Sequence, residues 1–151
     1  MAKHSTTWED SSTASANARA SLPAMLQAYF EEGRKLTGAE FPNARMHRFR
    51  LETKGLRYTL ELFRACYGPG LGLYLTALRK IQDCLGAIND YETSKALIAD
   101  RLPRAAPERI KMERVLTARA KRKALEFHRY WQQTFDKPGA RRRWLKYFSR
   151  A

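Results

Sequence analysis

His47, Arg50, Lys54 and Arg57 stand at spacings of three, four and three in the run Met46-His47-Arg48-Phe49-Arg50-Leu51-Glu52-Thr53-Lys54-Gly55-Leu56-Arg57-Tyr58. On a helix, residues three and four apart share a face, each about one turn from the next. The four side chains therefore form one stripe of cationic and hydrogen-bonding groups. Such a row suits a long polyanion, whose charges also repeat. It suits a metal cation poorly, and it holds no nucleophile. Glu61 continues the stripe with the opposite charge.

The rest of the same helix indicates what must position that stripe. At about 100° per residue, Phe49, Leu56, Leu60 and Phe63 fall on one side of it, and Leu51, Tyr58 and Leu62 on the other. A simple surface helix has one apolar face. Two apolar flanks predict neighbours on both sides, with the cations lining a groove or channel. The competing reading is a solvated charged face, with Lys54 or Arg57 paired to Glu61 at helical spacing. His47 alone would read as a structural hydrogen-bonding histidine and gains interest as a member of the row.

The charge balance points the same way. The chain of 151 residues carries 29 Lys+Arg against 15 Asp+Glu, a net charge of +14. Residues 1–45 are balanced, so the whole excess lies in 46–151. Such a field concentrates anions: nucleic acid, polyphosphate or anionic lipid. The length suits one domain able to bury a core without staples. Cys66 and Cys84 make neither a disulfide framework nor a zinc site and read as small core thiols in a reducing compartment. Met1–Ala20 lacks the apolar stretch of a signal peptide, and no apolar run approaches the ~18 residues that span a bilayer. The expectation is a cytoplasmic protein without membrane insertion.

Along the chain, residues 1–17 are rich in Ser, Thr and Ala and read as a mobile arm; Trp8 is its one anchor candidate, and its polar flanks argue against that role. Residues 18–151 read as one helical domain. A first helix is expected from near Ser21, with Pro23 in its first turn, ending before Gly38 and Pro42. A second is expected over 43–66, stopped by Tyr67-Gly68-Pro69-Gly70. A third carries Leu71, Tyr74, Leu75, Leu78, Ile81, Leu85 and Ile88 and is expected to end or bend near Asn89-Asp90, where Asp90 would cap a fourth reaching Leu102. Pro107 opens a fifth running to Phe135, and a short basic helix follows Pro138-Gly139. No segment shows strand alternation with turn spacing. The fold class is all-α, an antiparallel bundle of about five helices with a mobile N-terminal arm and a short basic C-terminal helix.

Weaker signals lie outside the stripe. Gln82 falls inside an apolar face, where a polar group needs partners, and Arg79 precedes it by one turn. Arg119 and Lys123 lie one turn apart on the fifth helix, beside Met112, Leu116 and Tyr130, where snorkelling stems also explain them. Arg141-Arg142-Arg143 with Lys146 and Arg150 is a patch for nonspecific attraction.

The run His47-x-x-Arg50-x-x-x-Lys54-x-x-Arg57-Tyr58-x-x-Glu61 resembles the signature of the conserved histidine α-helical domain, the CHAD family. Leu78-Arg79-Lys80-Ile81-Gln82-Asp83-Cys84-Leu85-Gly86-Ala87-Ile88-Asn89-Asp90 looks like the family's second block, and the two cover roughly residues 45–100. The resemblance implies a helical domain that binds inorganic polyphosphate through a basic groove, is associated with polyphosphate granules and often accompanies a CYTH-type triphosphatase. By residue matching the binding stripe falls on His47, Arg50, Lys54 and Arg57, with Arg79 a weaker transfer; Arg119 and Lys123 rest on the helical wheel alone. A typical member has two related halves, each with a histidine motif. This chain has one, and its Lys54, Tyr58 and Glu61 look more like the second half.

The expected function is a noncatalytic polyphosphate-binding module, without cofactor or metal. A homodimer is a further expectation, because a lone half would leave one apolar flank of the second helix uncovered. A nucleic-acid-binding protein is the alternative, with Tyr130, Trp131 and Trp144 as stacking candidates. A metal-dependent phosphohydrolase would need carboxylates near the phosphate; Glu61, Asp83 and Asp90 do not cluster at ligand spacing.

Overall fold

In the computed structural model, residues 8–37 and 43–150 are described, with only the backbone of Asn43. Residues 1–7 of the expected N-terminal arm and the Gly38 and Pro42 stop signals lie outside them; residues 14–17 of that arm belong to α1. Among the described residues every regular element is helical: α1 (Ala14–Thr37), α2 (Asn43–Leu62), a single turn α3 (Arg64–Tyr67), α4 (Leu71–Arg101), α5 (Pro107–Tyr130) and α6 (Ala140–Phe148).

Helix α1 begins seven residues before the expected start. The Thr13 hydroxyl accepts from the Ala16 amide at 3.2 Å, the N-cap bond that stops fraying. Asn17 ties the preceding segment back, accepting from Glu9 N at 3.0 Å and donating to Glu9 O at 3.1 Å. Pro23 therefore sits inside α1 rather than in its first turn. It lacks the N–H that would bond the Arg19 carbonyl, a cost offset by the buried Leu22, Leu26, Tyr29 and Phe30 around it. Trp8 remains largely exposed but stacks on Phe63 at 6.2 Å.

Helix α2 buries Met46, Phe49, Leu56 and Leu60. It stops at Leu62, short of the expected Cys66, because Phe63 leaves helical geometry and a separate turn, α3, follows. The chain reverses through Gly68, whose φ of 68° lies in the left-handed region that glycine occupies without steric cost.

Helix α4 is continuous through Asn89-Asp90, so the expected fourth helix is its second half and Asp90 caps nothing. Asn and Asp are only moderately poor helix formers, and neither Pro nor Gly stands there to enforce a stop. Helix α5 returns antiparallel: Pro107 occupies its first turn, Lys80 meets Glu126 and the Tyr130 hydroxyl donates to the Ala77 carbonyl. Arg109 Nη1 donates to the carbonyls of Leu102 at 3.0 Å and Ala99 at 3.3 Å. It thereby satisfies carbonyls orphaned at the end of α4.

The α-helical part of α5 ends at Tyr130, and Trp131–Phe135 form a wider, π-helical turn. The Asp136 amide bonds the Trp131 carbonyl at 2.8 Å. That turn puts Trp131 and Phe135 in one aromatic core with Tyr29, Phe30 and Phe49. Helix α6 closes the other end against α1, with Trp144 and Phe148 buried.

Helix α2 packs on α1 and on α4. Its Phe49-Leu56-Leu60-Phe63 flank is buried, whereas Leu51, Tyr58 and Leu62 are exposed. The prediction of cover on both flanks is therefore half met.

Candidate basic groove between two helices

The α2 stripe divides between two positions. Arg50 and Arg57 are partly buried against α4, while His47 and Lys54 stand exposed on the rim. Arg57 is held on both sides. Its Nε donates to Gln82 Oε1 at 3.0 Å and its Nη1 to Glu61 Oε1 at 2.7 Å. Its guanidinium also lies over the Tyr58 ring at 4.7 Å, and Lys54 Nζ approaches the same ring at 5.7 Å. Gln82, which needed a partner inside an apolar face, has one.

Arg50 is different. Its Nε is buried and makes no hydrogen bond. Gly86 faces it from α4, and a Cβ placed on Gly86 would lie 3.9 Å from that nitrogen. A guanidinium N–H without a partner is costly to keep out of water, and an acceptor from outside the chain would satisfy it.

His47 Nδ1 lies 2.9 Å from Asn89 Oδ1. The Asn89 oxygen can only accept, so Nδ1 carries the proton and Nε2 is the atom left for a ligand. A cleft of about 280 Å³ opens at this end, lined by Met46, His47, Leu85, Ile88, Asn89 and Glu92. Arg79 stands exposed on the same edge of α4, one turn before Gln82. Sequence reasoning gave Asn89 and Gly86 no role. Both stood in the second motif block, but nothing local reveals that one orients His47 and the other faces Arg50.

The α5 cations do not join this groove. Lys123 donates to Glu126 Oε2 at 2.8 Å, and Glu126 also accepts from Lys80 at 2.7 Å. The α5 side of α4 carries Lys80, and its α2 side carries Gln82 and Gly86, so α4 stands between the two sets. Arg119 is exposed on α5, next to the buried Ala120. Hydrogen bonds from Lys123 and Lys80 hold the Glu126 carboxyl down at about 2. A carboxyl lowered on folding stabilises the native state fully above its unfolded range and loses that contribution as pH falls through the folded value. Glu126→Gln should therefore lower the urea midpoint modestly at neutral pH, and the difference should vanish near pH ~2. Urea titrations at the two pH values measure it.

A hollow of about 760 Å³ lies on the far side of α2 between α1 and α2. Glu31, Glu32 and Glu52 line it with Arg45 and Arg48. Burial, with repulsion from Glu32, raises the Glu52 carboxyl above its ordinary value. Three carboxylates make this a poor seat for a polyanion. Among the described residues no group of three or more His, Cys, Asp or Glu is placed to hold a metal ion, and no helix is long and apolar enough to cross a membrane.

With the motif residues now paired across α2 and α4, the family can be stated. A family model of the CHAD domain matches residues 2–99. The chain belongs to the CHAD family. The match takes in α1, α2 and nearly all of α4, the elements that build the groove. Helix α5, with Arg119 and Lys123, and the basic α6 lie outside it. No curated protein and no solved structure matches the chain.

Proposed function

We propose that this CHAD protein binds inorganic polyphosphate along the α2–α4 groove, without catalysing its cleavage, and so associates with polyphosphate granules. The observation that carries this reading is the buried Arg50 Nε with no hydrogen-bond partner, set in a row with His47, Lys54 and Arg57. From His47 to Arg57 the row runs about 15 Å along the helix, a reach suited to a chain of phosphates rather than to one. Arginine forks recognise phosphate oxygens by geometry, while Lys54 contributes a point charge. Arg79 extends the row on α4. Arg119 and Lys123 would serve only as a distant second contact for a long chain.

The nucleic-acid alternative loses its stacking platform. Trp131 and Trp144 are buried, and the Tyr130 hydroxyl is bonded to the Ala77 carbonyl. For a hydrolase, Glu61 is engaged by Arg57, and Asp83 and Asp90 are exposed on α4.

Fluorescence titration with long-chain polyphosphate over a salt series tests the proposal. Affinity should fall steeply and log-linearly with salt as counterions are released, by analogy with nucleic acid. Weak binding at low salt, or binding insensitive to salt, would contradict it.

The same titration tests His47. With Nδ1 donating to Asn89, Nε2 is the ring atom that faces a ligand. His47→Gln should weaken binding severalfold, and an affinity unchanged in the variant would remove His47 from the site.

A further inference from the structure

We propose that the outer face of α2 is the interface of a symmetric dimer, in which α2 packs antiparallel on α2 of a second copy. Leu51, Gly55, Tyr58 and Leu62 follow one another at spacings of four, three and four, the spacing of a two-helix seam. Among the described residues no other helix covers them, and only the Lys54 and Arg57 side chains of α2 itself reach over the Tyr58 ring. Leu51 is 50% exposed, Tyr58 46% and Leu62 83%. A Cβ placed on Gly55 would meet nothing within 4 Å. Glycine in a helix interior is destabilising relative to alanine, and no neighbour among the described residues requires it at this position. A partner ring would.

The seam is self-complementary when turned end for end. With the twofold axis midway between Gly55 and Tyr58, Leu51 meets Leu62 of the second copy, and Gly55 opposes Tyr58 of the second copy, a ring set into the gap left by a missing side chain. The flanking charges agree. Lys54 and Glu61 each precede a seam residue and lie on one side of the seam. In an antiparallel pair such positions face each other, so Lys54 meets Glu61 of the second copy, twice by symmetry. Glu61 uses Oε1 for Arg57, which leaves its second oxygen. On the other side Glu52 faces Thr59. The seam therefore brings no like charges into register despite the net charge of +14. Lys54 belongs both to this pairing and to the proposed polyphosphate row, so association is measured without polyphosphate.

Sedimentation equilibrium of the full chain, without polyphosphate and at about 0.15 M salt to screen long-range repulsion, tests it. The mass should rise with concentration from 17.5 kDa towards twice that value. Leu62→Asp and Gly55→Arg should each weaken association at least tenfold, with helix content by circular dichroism retained because both positions are exposed. Lys54→Glu should weaken it by about tenfold through the repulsion it creates against Glu61, and Lys54→Glu combined with Glu61→Lys should restore it. A monomer at every concentration would overturn the proposal and leave the seam to a different chain. A dimer indifferent to Leu62→Asp or Gly55→Arg would overturn its placement on α2. A charge swap that fails to restore association would overturn the antiparallel register.

Discussion

Replacing Arg50, Lys54 and Arg57 together with Gln should weaken polyphosphate binding by at least about 100-fold, since each charge-assisted contact contributes on the order of 1–1.5 kcal/mol. Helix content should stay unchanged. The largest share should come from Arg50, because its buried nitrogen has no partner within the protein. Arg57 should contribute less than its position suggests, because Gln82 and Glu61 already hold it and a ligand must compete with them. Replacing Arg141, Arg142 and Arg143 with Gln removes the same formal charge from α6. It should cost less than about tenfold, since that patch acts mainly through the long-range field. Equal losses from the two triple variants would replace a defined groove with a general charge effect.

The second large effect is on stability. Gly33→Ala should destabilise the fold by about 3 kcal/mol, the upper range for overpacking a core, and lower the melting temperature by roughly 10 °C for a domain of this size. Helix propensity alone predicts the opposite sign, a gain of about 1 kcal/mol. The reversal comes from Trp131, whose indole occupies the space a Cβ on Gly33 would need. Trp131 cannot retreat. It is 1% exposed and stands against Phe135 at 4.8 Å and Phe49 at 5.8 Å between ring centres. Gly72→Ala is the control: its Cβ would meet nothing within 4 Å, and no loss is expected. Thermal unfolding of the two variants beside the wild type reads the difference.

The stripe on α2 was legible because three- and four-residue spacing encodes one face of a helix, whatever the helix packs on. The pairing of His47 and Arg57 across to α4 was not. That depends on Gln82 and Asn89, which lie 25 and 42 residues from their partners, and no local pattern carries such pairings. The Leu51-Tyr58-Leu62 flank shows the same limit: the wheel marks it as apolar but cannot say whether a neighbour covers it. The break expected at Asn89-Asp90 rested on residues that disfavour helix only weakly, and with neither Pro nor Gly at that point α4 runs on to Arg101. The turn at Trp131–Phe135 arises from the demand that both aromatics reach one core, a tertiary requirement that helical periodicity does not express. Trp131 and Trp144, weighed as stacking surfaces because tryptophan serves both roles, proved to be core.

Competition between polyphosphate and duplex DNA for the wild-type protein, at equal phosphate concentration and fixed salt, tests the central claim most directly. Both polyanions satisfy a net charge of +14; binding in the groove requires in addition that a thin, flexible phosphate chain reach Arg50 where a duplex does not. Polyphosphate should displace labelled DNA with at least about tenfold preference, a difference of about 1.4 kcal/mol, and Arg50→Gln should erase most of that preference. Equal displacement by the two polymers, or a preference that survives Arg50→Gln, would contradict a polyphosphate groove on this protein.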